Sequence, residues 1–452
     1  MNNEDRMLTN QNPLLRELAA RGEELSFDTD GLLFNAAVDA QAMAIVKIRD
    51  KGHLSSVVRV AAEHGTPMSV LGGGHDLSGR GFVKENLILD LRSLTSVAVD
   101  SDRKTVMIGG GTLSGDLVEK LPTHLVSPLG TVSTVGVIGL ALGGGYGRLT
   151  STLGLTSDTL ESAELVLADG TTTVASEEDD RDLLWALRGG GSGFGVVTAC
   201  RLKLYHVPEV LVSMHIYPME DAQRILLLCQ DLIDAHPADL NLFMAFMTGP
   251  NGNPVLFVSP TWTGDRNIGE ALVSDLQADK SAYTIQSGWM PYKMTFDKEA
   301  EKAWPKGRNY SLPTRTVERL DRDVVEILIQ AALNFTSPFS ALVIHDFHGA
   351  ATNIDPAATA FALRKPHFVI EIISAWDGAA NGEASGHRAW SEDVSASLAT
   401  LALPGGYPNL LSPDEGERAR QFFGSSTERL KTIKSRVDPD DLFRSGTGRI
   451  AR

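Results

Sequence analysis

The stretch Met68-Ser69-Val70-Leu71-Gly72-Gly73-Gly74-His75-Asp76 decides how this sequence reads. A strand-length apolar run ends in three glycines, and a histidine and an aspartate follow at once. Glycine lets a backbone approach a ligand closely and adopt positive φ. Successive bare N–H groups then form a concavity suited to an anion such as a pyrophosphate. Upstream, Ala44 to Ile48 reads as a strand, and Leu54, Val57, Val58, Ala61 and Ala62 follow helical spacing between His53 and His64. Gly65 and Pro67 supply the stop. Downstream, Leu87 to Asp90 and Thr105 to Ile108 read as further short strands.

Two more glycine clusters follow. Gly130, Gly136 and Gly139 lead into Gly143-Gly144-Gly145-Tyr146-Gly147, and Gly189-Gly190-Gly191-Ser192-Gly193-Phe194-Gly195 precedes a strand-like run from Val196 to Tyr205. A dinucleotide fingerprint needs strand, glycines, then helix. Here the helix-like Asp182 to Arg188 comes before the third cluster and the strand after it. The Gly-x-x-x-x-Gly-Lys-Ser/Thr loop of nucleotide triphosphatases is absent. Any one cluster could be a set of tight turns; three of them, with a histidine in the first, point to a ligand cradle.

At 452 residues, with 42% apolar and 22% charged residues, the chain suits two globular domains. A net charge of −16 disfavours nucleic acid and anionic lipid as partners. The polar start, Met1-Asn2-Asn3-Glu4-Asp5-Arg6, has no signal-peptide core behind it, and no run suggests a membrane span. Cys200 and Cys229 are too far apart for a metal knuckle and read as reduced core thiols, so a cytoplasmic location is expected. Beyond Pro208 apolar strands (Val255 to Val258, Ala341 to Ile344, Phe368 to Ser374) alternate with helical stretches such as Val324 to Leu333. The tail from Leu430 reads as turn-rich.

Several segments together resemble the vanillyl-alcohol-oxidase (PCMH-type) FAD-binding superfamily, in its berberine-bridge-enzyme-like branch, which includes bacterial hydroxynicotine oxidases. They are Gly72 to Asp76; Thr134-Val135-Gly136 through Gly147 and on to Gly154-Leu155-Thr156-Ser157-Asp158; Asp182 to Thr198; Tyr407-Pro408-Asn409; and Arg429-Leu430 through Asp438 to Arg444. The resemblance implies an α+β fold. Its FAD domain (1–208) would be completed by the C-terminal segment (398–452), around a substrate domain (209–397) whose antiparallel sheet is backed by helices.

The resemblance also implies FAD bonded through its 8α-methyl carbon to His75. Gly72, Gly73, Gly74, Asp76, Thr134, Val135, Gly136, Gly139, Gly143, Gly144, Gly145, Gly195, Val196, Val197 and Asn409 would bind the cofactor. Three departures matter. Leu71 stands where relatives often have arginine. Val132 stands where many have a second, cysteinyl attachment point, so no second bond can form. Ser445-Gly446-Thr447-Gly448 replaces a terminal run with two asparagines.

The implied reaction is oxidation of a small alcohol, amine or phenol-bearing metabolite by hydride transfer to flavin N5, with dioxygen as acceptor and hydrogen peroxide as product. A dehydrogenase with another acceptor, or a binding protein that has lost catalysis, are the alternatives. A base on the substrate O–H or N–H assists such chemistry. Glu371, inside Phe368-Val369-Ile370-Glu371-Ile372-Ile373, matches the family position of a catalytic carboxylate or amide; otherwise it is a glutamate on the solvent face of a strand. Tyr407 is a second candidate base or hydrogen-bond partner. Tyr146 either reaches the site or packs inside the flavin domain. His345 and His348, three apart on a strand, point to opposite faces and cannot share a metal ion. They are assigned to the substrate pocket, and no metal is expected.

Overall fold

The computed structural model describes residues 11–277, 281–296, 300–378 and 381–444. The start of the chain and the divergent run Ser445 to Gly448 lie outside the described residues. Among the described residues the strands form sheets of four, five, two and eight.

The four-stranded sheet runs Leu25–Ser26, Ala44–Lys47, Leu87–Asp90, Met68–Leu71. Its last three strands are parallel, which requires a crossover, and the helix Lys51–Glu63 supplies it. That helix starts two residues before the hydrophobic pattern because Asp50 caps it, accepting from the His53 N–H at 2.8 Å. The five-stranded sheet is antiparallel and places Thr105–Gly109 and Leu160–Val166 on either side of Val196–Lys203.

The eight-stranded antiparallel sheet is built from residues between Val210 and Trp376. At its centre Leu240–Thr248, Ala341–Phe347 and His367–Trp376 lie side by side. One face carries Met244, Phe246, Leu342, Ile344, Ile370 and Ile372, in one core with residues of the helices Ala222–Ala235, Arg266–Gln277, Arg322–Leu333 and Asn381–Leu398. The opposite face looks toward the glycine clusters. The α+β class is as expected.

The tail differs from its reading as turns. Residues Thr427–Val437 are helical, with Leu430, Ile433 and Val437 buried on one stripe. Beyond them the chain returns to the four-stranded sheet, where Met68 N–H donates to Leu442 O at 2.7 Å.

Candidate active site

A cavity of about 430 Å³ separates the glycine segments from the open face of the large sheet. Its near wall is glycine-rich, with Gly72 to Gly74, Gly130, Gly136, Gly139, Gly191 and Gly195 set among apolar side chains such as Leu71, Val135 and Val197. Close backbone approach explains glycine here. A Cβ on Gly73 would collide with the backbone nitrogen of Gly136, so the first two glycine segments touch without side chains between them.

His75 sits where the strand Met68–Leu71 has emptied into this wall. Its ring lies 4.1 Å from Phe34, centroid to centroid. Its Nε2 is buried and has no hydrogen-bond partner among the described residues. Burial, with the Lys306 charge acting in the same direction, pushes the imidazole down to about 4. At neutral pH it is therefore uncharged, with a lone pair available on a ring nitrogen.

The far wall is the sheet. Period-2 alternation aims Phe243, Val343, His345, Glu371 and Ile373 into the cavity. Pairing places Phe243 opposite His345 and Val343 opposite Glu371. The Tyr146 hydroxyl donates to Glu371 Oε1 at 2.5 Å, and His345 Nε2 lies 3.2 Å from the same oxygen. Burial raises the Glu371 carboxyl, but the His345 charge and the bonds from His345 and Tyr146 outweigh it, and the net direction is down. Burial, then the Glu371 charge, raises the Tyr146 phenol well above its ordinary value. The site thus holds an ionised carboxylate and a protonated tyrosine in contact.

Tyr407 borders the cavity with its ring, 4.9 Å from Tyr146 and edge-on. Its hydroxyl accepts from the Gly145 N–H at 2.7 Å and from Asn409 Nδ2 at 3.4 Å. Burial raises this phenol too. Asn409 also donates to Leu140 O at 3.0 Å. The Tyr-Pro-Asn turn is therefore clamped onto the second glycine segment.

Comparison with known proteins places this geometry. Residues 42–176 match an FAD binding domain, and residues 406–448 match a domain described as berberine and berberine like. The FAD-linked oxidoreductase OXR1 of Pyricularia oryzae is 30% identical over 416 residues, covering 86% of this chain and 80% of that one. This chain belongs to the berberine-bridge-enzyme-like family of FAD-linked oxidoreductases. The crystal structure of 6-hydroxy-D-nicotine oxidase from Arthrobacter nicotinovorans superposes with a TM-score of 0.84 at 25% identity, covering 94% of this chain and 97% of that one. A glucooligosaccharide oxidase of Acremonium strictum, which carries a 6-S-cysteinyl, 8α-N1-histidyl FAD, shares the fold with a TM-score of 0.80 at 24% identity, covering 96% and 98%.

The residues present in this family member fit FAD. A glycine-rich, largely apolar wall can take a flat ring system at close range, and an imidazole nitrogen beside it without a partner among the described residues can accept a bond.

Several residues expected to hold the cofactor or substrate are not among those that line the cavity. Gly143, Gly144 and Gly145 do not line the cavity; a Cβ at Gly143 would strike the Asn409 amide, and one at Gly144 would crowd Phe361 and Tyr407. Gly143 and Gly144 pack closely under the Tyr-Pro-Asn turn, and Gly145 packs against Thr156 and Leu140. Thr134 is exposed, and Val196 faces the core of the four-stranded sheet. His348 follows the strand that carries His345 and is buried against Phe368 at 5.1 Å, away from the cavity. Among the described residues, no group of three or more His, Cys, Asp or Glu is placed to hold a metal, and no helix is long and apolar enough to cross a membrane.

Sequence reasoning missed Arg80. Its guanidinium pairs with Asp76 and donates to Pro408 O and Asn409 O at 2.8 Å each, joining the histidine segment to the C-terminal turn. An arginine four residues past Asp76 was the available signal. Phe243, Val343, Ile373 and Trp304 in the cavity wall were missed as well.

Proposed function

We propose that this family member carries FAD covalently on His75 and oxidises a small alcohol, amine or phenol-bearing metabolite, with dioxygen as the electron acceptor. The observation that carries the attachment is the buried, partnerless Nε2 of a neutral His75 in the glycine wall. FAD, when bound, supplies the acceptor for the hydride that leaves the substrate carbon. The glycine wall would hold the ring, and Val132 offers no sulfur for a second attachment.

Glu371 is the base in this reading. Both bonds from Tyr146 and His345 go to Oε1, and Oε2 has no protein partner among the described residues. Oε2 takes the proton of the substrate O–H or N–H, and Tyr146 and His345 hold the carboxylate in position for it. Tyr407, with its raised phenol fixed to Gly145, positions the cavity wall rather than accepting a proton. A cytoplasmic setting belongs to the same proposal and rests on the two buried, unpaired cysteines.

The test is denaturation. Acid-precipitated wild-type protein should keep its yellow colour and flavin fluorescence on a denaturing gel, and His75→Ala should lose both. Colour that washes out of the wild type in acid would overturn the covalent attachment.

A further inference from the structure

We infer that the substrate is a compact, largely apolar molecule with a single hydroxyl or amino donor, and is neither a saccharide nor a hydroxy acid. This rests on the reading of Glu371 as base and narrows it.

Of the sheet's five side chains in the cavity wall, Phe243, Val343 and Ile373 are apolar, and the two polar ones, His345 and Glu371, are bonded to each other. The apolar floor continues behind them through Met247 and Phe257, which pack in the same cluster as Phe243. The polar chemistry of this wall is thus gathered at one point, and within it Glu371 Oε2 has no protein partner among the described residues. That oxygen accepts; it calls for one O–H or N–H, and an ammonium would add charge to the bond.

A saccharide carries a hydroxyl on nearly every carbon. Against this floor each hydroxyl beyond the first would give up its water without a replacement, weakening binding by roughly fivefold to a hundredfold apiece. A hydroxy acid meets a different obstacle. Its carboxylate would lie beside the Glu371 carboxylate, and like charges at close range oppose each other. Arg80 is engaged by Asp76 and the carbonyls of Pro408 and Asn409, and Lys306 stands at the opposite, histidine end, with Nζ near Gly74. An aromatic or alicyclic alcohol or amine satisfies both conditions. Its ring covers Phe243 and Val343, and its one donor reaches Glu371.

The experiment uses the yellow enzyme as purified, kept anaerobic and titrated with benzyl and naphthylmethyl alcohols and amines, cellobiose and lactate. Binding is read from the perturbed flavin absorbance, and turnover from bleaching. The aryl compounds should give saturable perturbation, while cellobiose and lactate should give none at concentrations a hundredfold higher. Phe243→Asn should weaken aryl binding by roughly tenfold or more with the resting flavin spectrum unchanged, and Glu371→Gln should weaken the amines more than the alcohols. Saturation or bleaching by cellobiose or lactate alone, no response to any aryl compound, or unchanged aryl affinity in Phe243→Asn would each overturn the inference and leave the FAD reading standing. A protein that purifies without flavin would overturn that reading, and this inference with it.

Discussion

In the proposed reaction Glu371 is where a single atom decides the chemistry, because its two oxygens have different surroundings: one is bonded to Tyr146 and His345, the other lacks a protein partner among the described residues. Glu371→Gln keeps the shape and removes the base. It should retain FAD and slow anaerobic flavin reduction by roughly 100- to 10,000-fold; a change under about threefold would demote the residue to structure. The pH dependence follows from the same contacts. The working form is the carboxylate, and its pKa is held down chiefly by His345 against burial. The wild-type rate should therefore persist below the ordinary carboxylate range. In His345→Asn only the Tyr146 bond is left to oppose burial, the pKa rises, and the acid limb of the rate profile should move to higher pH; an unmoved limb would mean that another group titrates. Val135 belongs to this scale too, since it lines the cavity in the second glycine segment. A leucine there adds one methylene to a close-packed wall. Reduced Val135→Leu enzyme should reoxidise in aerated buffer markedly more slowly than wild type. A wild-type flavin that stays reduced for minutes in air would favour an acceptor other than dioxygen.

Among the elements, the strand Ala341–Phe347 has two different faces. His345 faces the cavity, while its neighbour Asp346 is buried on the other side, accepting from Asn241 Nδ2 at 2.5 Å. Burial pushes the Asp346 carboxyl up to about 8. A raised folded-state pKa means the native protein holds a proton that the unfolded chain releases near pH 4. The stability this contributes is full below about pH 4 and is lost as pH rises toward 8. Asp346→Asn cannot ionise, so its thermal midpoint should fall less than the wild type's between pH 5 and pH 9; parallel curves would show that Asp346 does not titrate in this window. The same strands show where sequence reading stops. Alternation normally separates a core face from a wet one. Here Met244 and Phe246 face the helices while Phe243, Ala245 and Met247 face the cavity side, and both sets are apolar. Nothing in the residue types marks Phe243 as a cavity wall. The helix Asn381–Leu398 was hidden for the opposite reason, since glycine and serine dilute its apolar stripe to Trp390, Val394 and Leu398.

At the scale of the whole molecule, three ties hold the glycine segments to distant parts of the chain. Arg80 binds Pro408 and Asn409. Arg364, fully buried, pairs with Asp158 through both carboxylate oxygens at 3.0 and 2.6 Å. Lys434 pairs with Asp438 and donates to Gly193 O at 2.8 Å and Phe443 O at 3.1 Å. Asp158, Gly193, Pro408, Asn409 and Lys434 lay in legible motifs, but Arg80 and Arg364 did not, and no pairing could be read because the partners are separated by 206 to 329 residues. The local runs Gly72 to Asp76 and Tyr407 to Asn409 were legible because a backbone bared by glycine, or a turn fixed by proline, is written in adjacent letters. These runs meet at the cavity, where the His75 Nε2 has no partner among the described residues. The most direct measurement is peptide mapping by mass spectrometry of the denatured, protease-digested enzyme. The peptide containing Gly72 to Asp76 should be heavier by one flavin dinucleotide, with fragmentation placing the added mass on His75. That peptide recovered at its unmodified mass, with FAD free in the supernatant, would contradict the attachment.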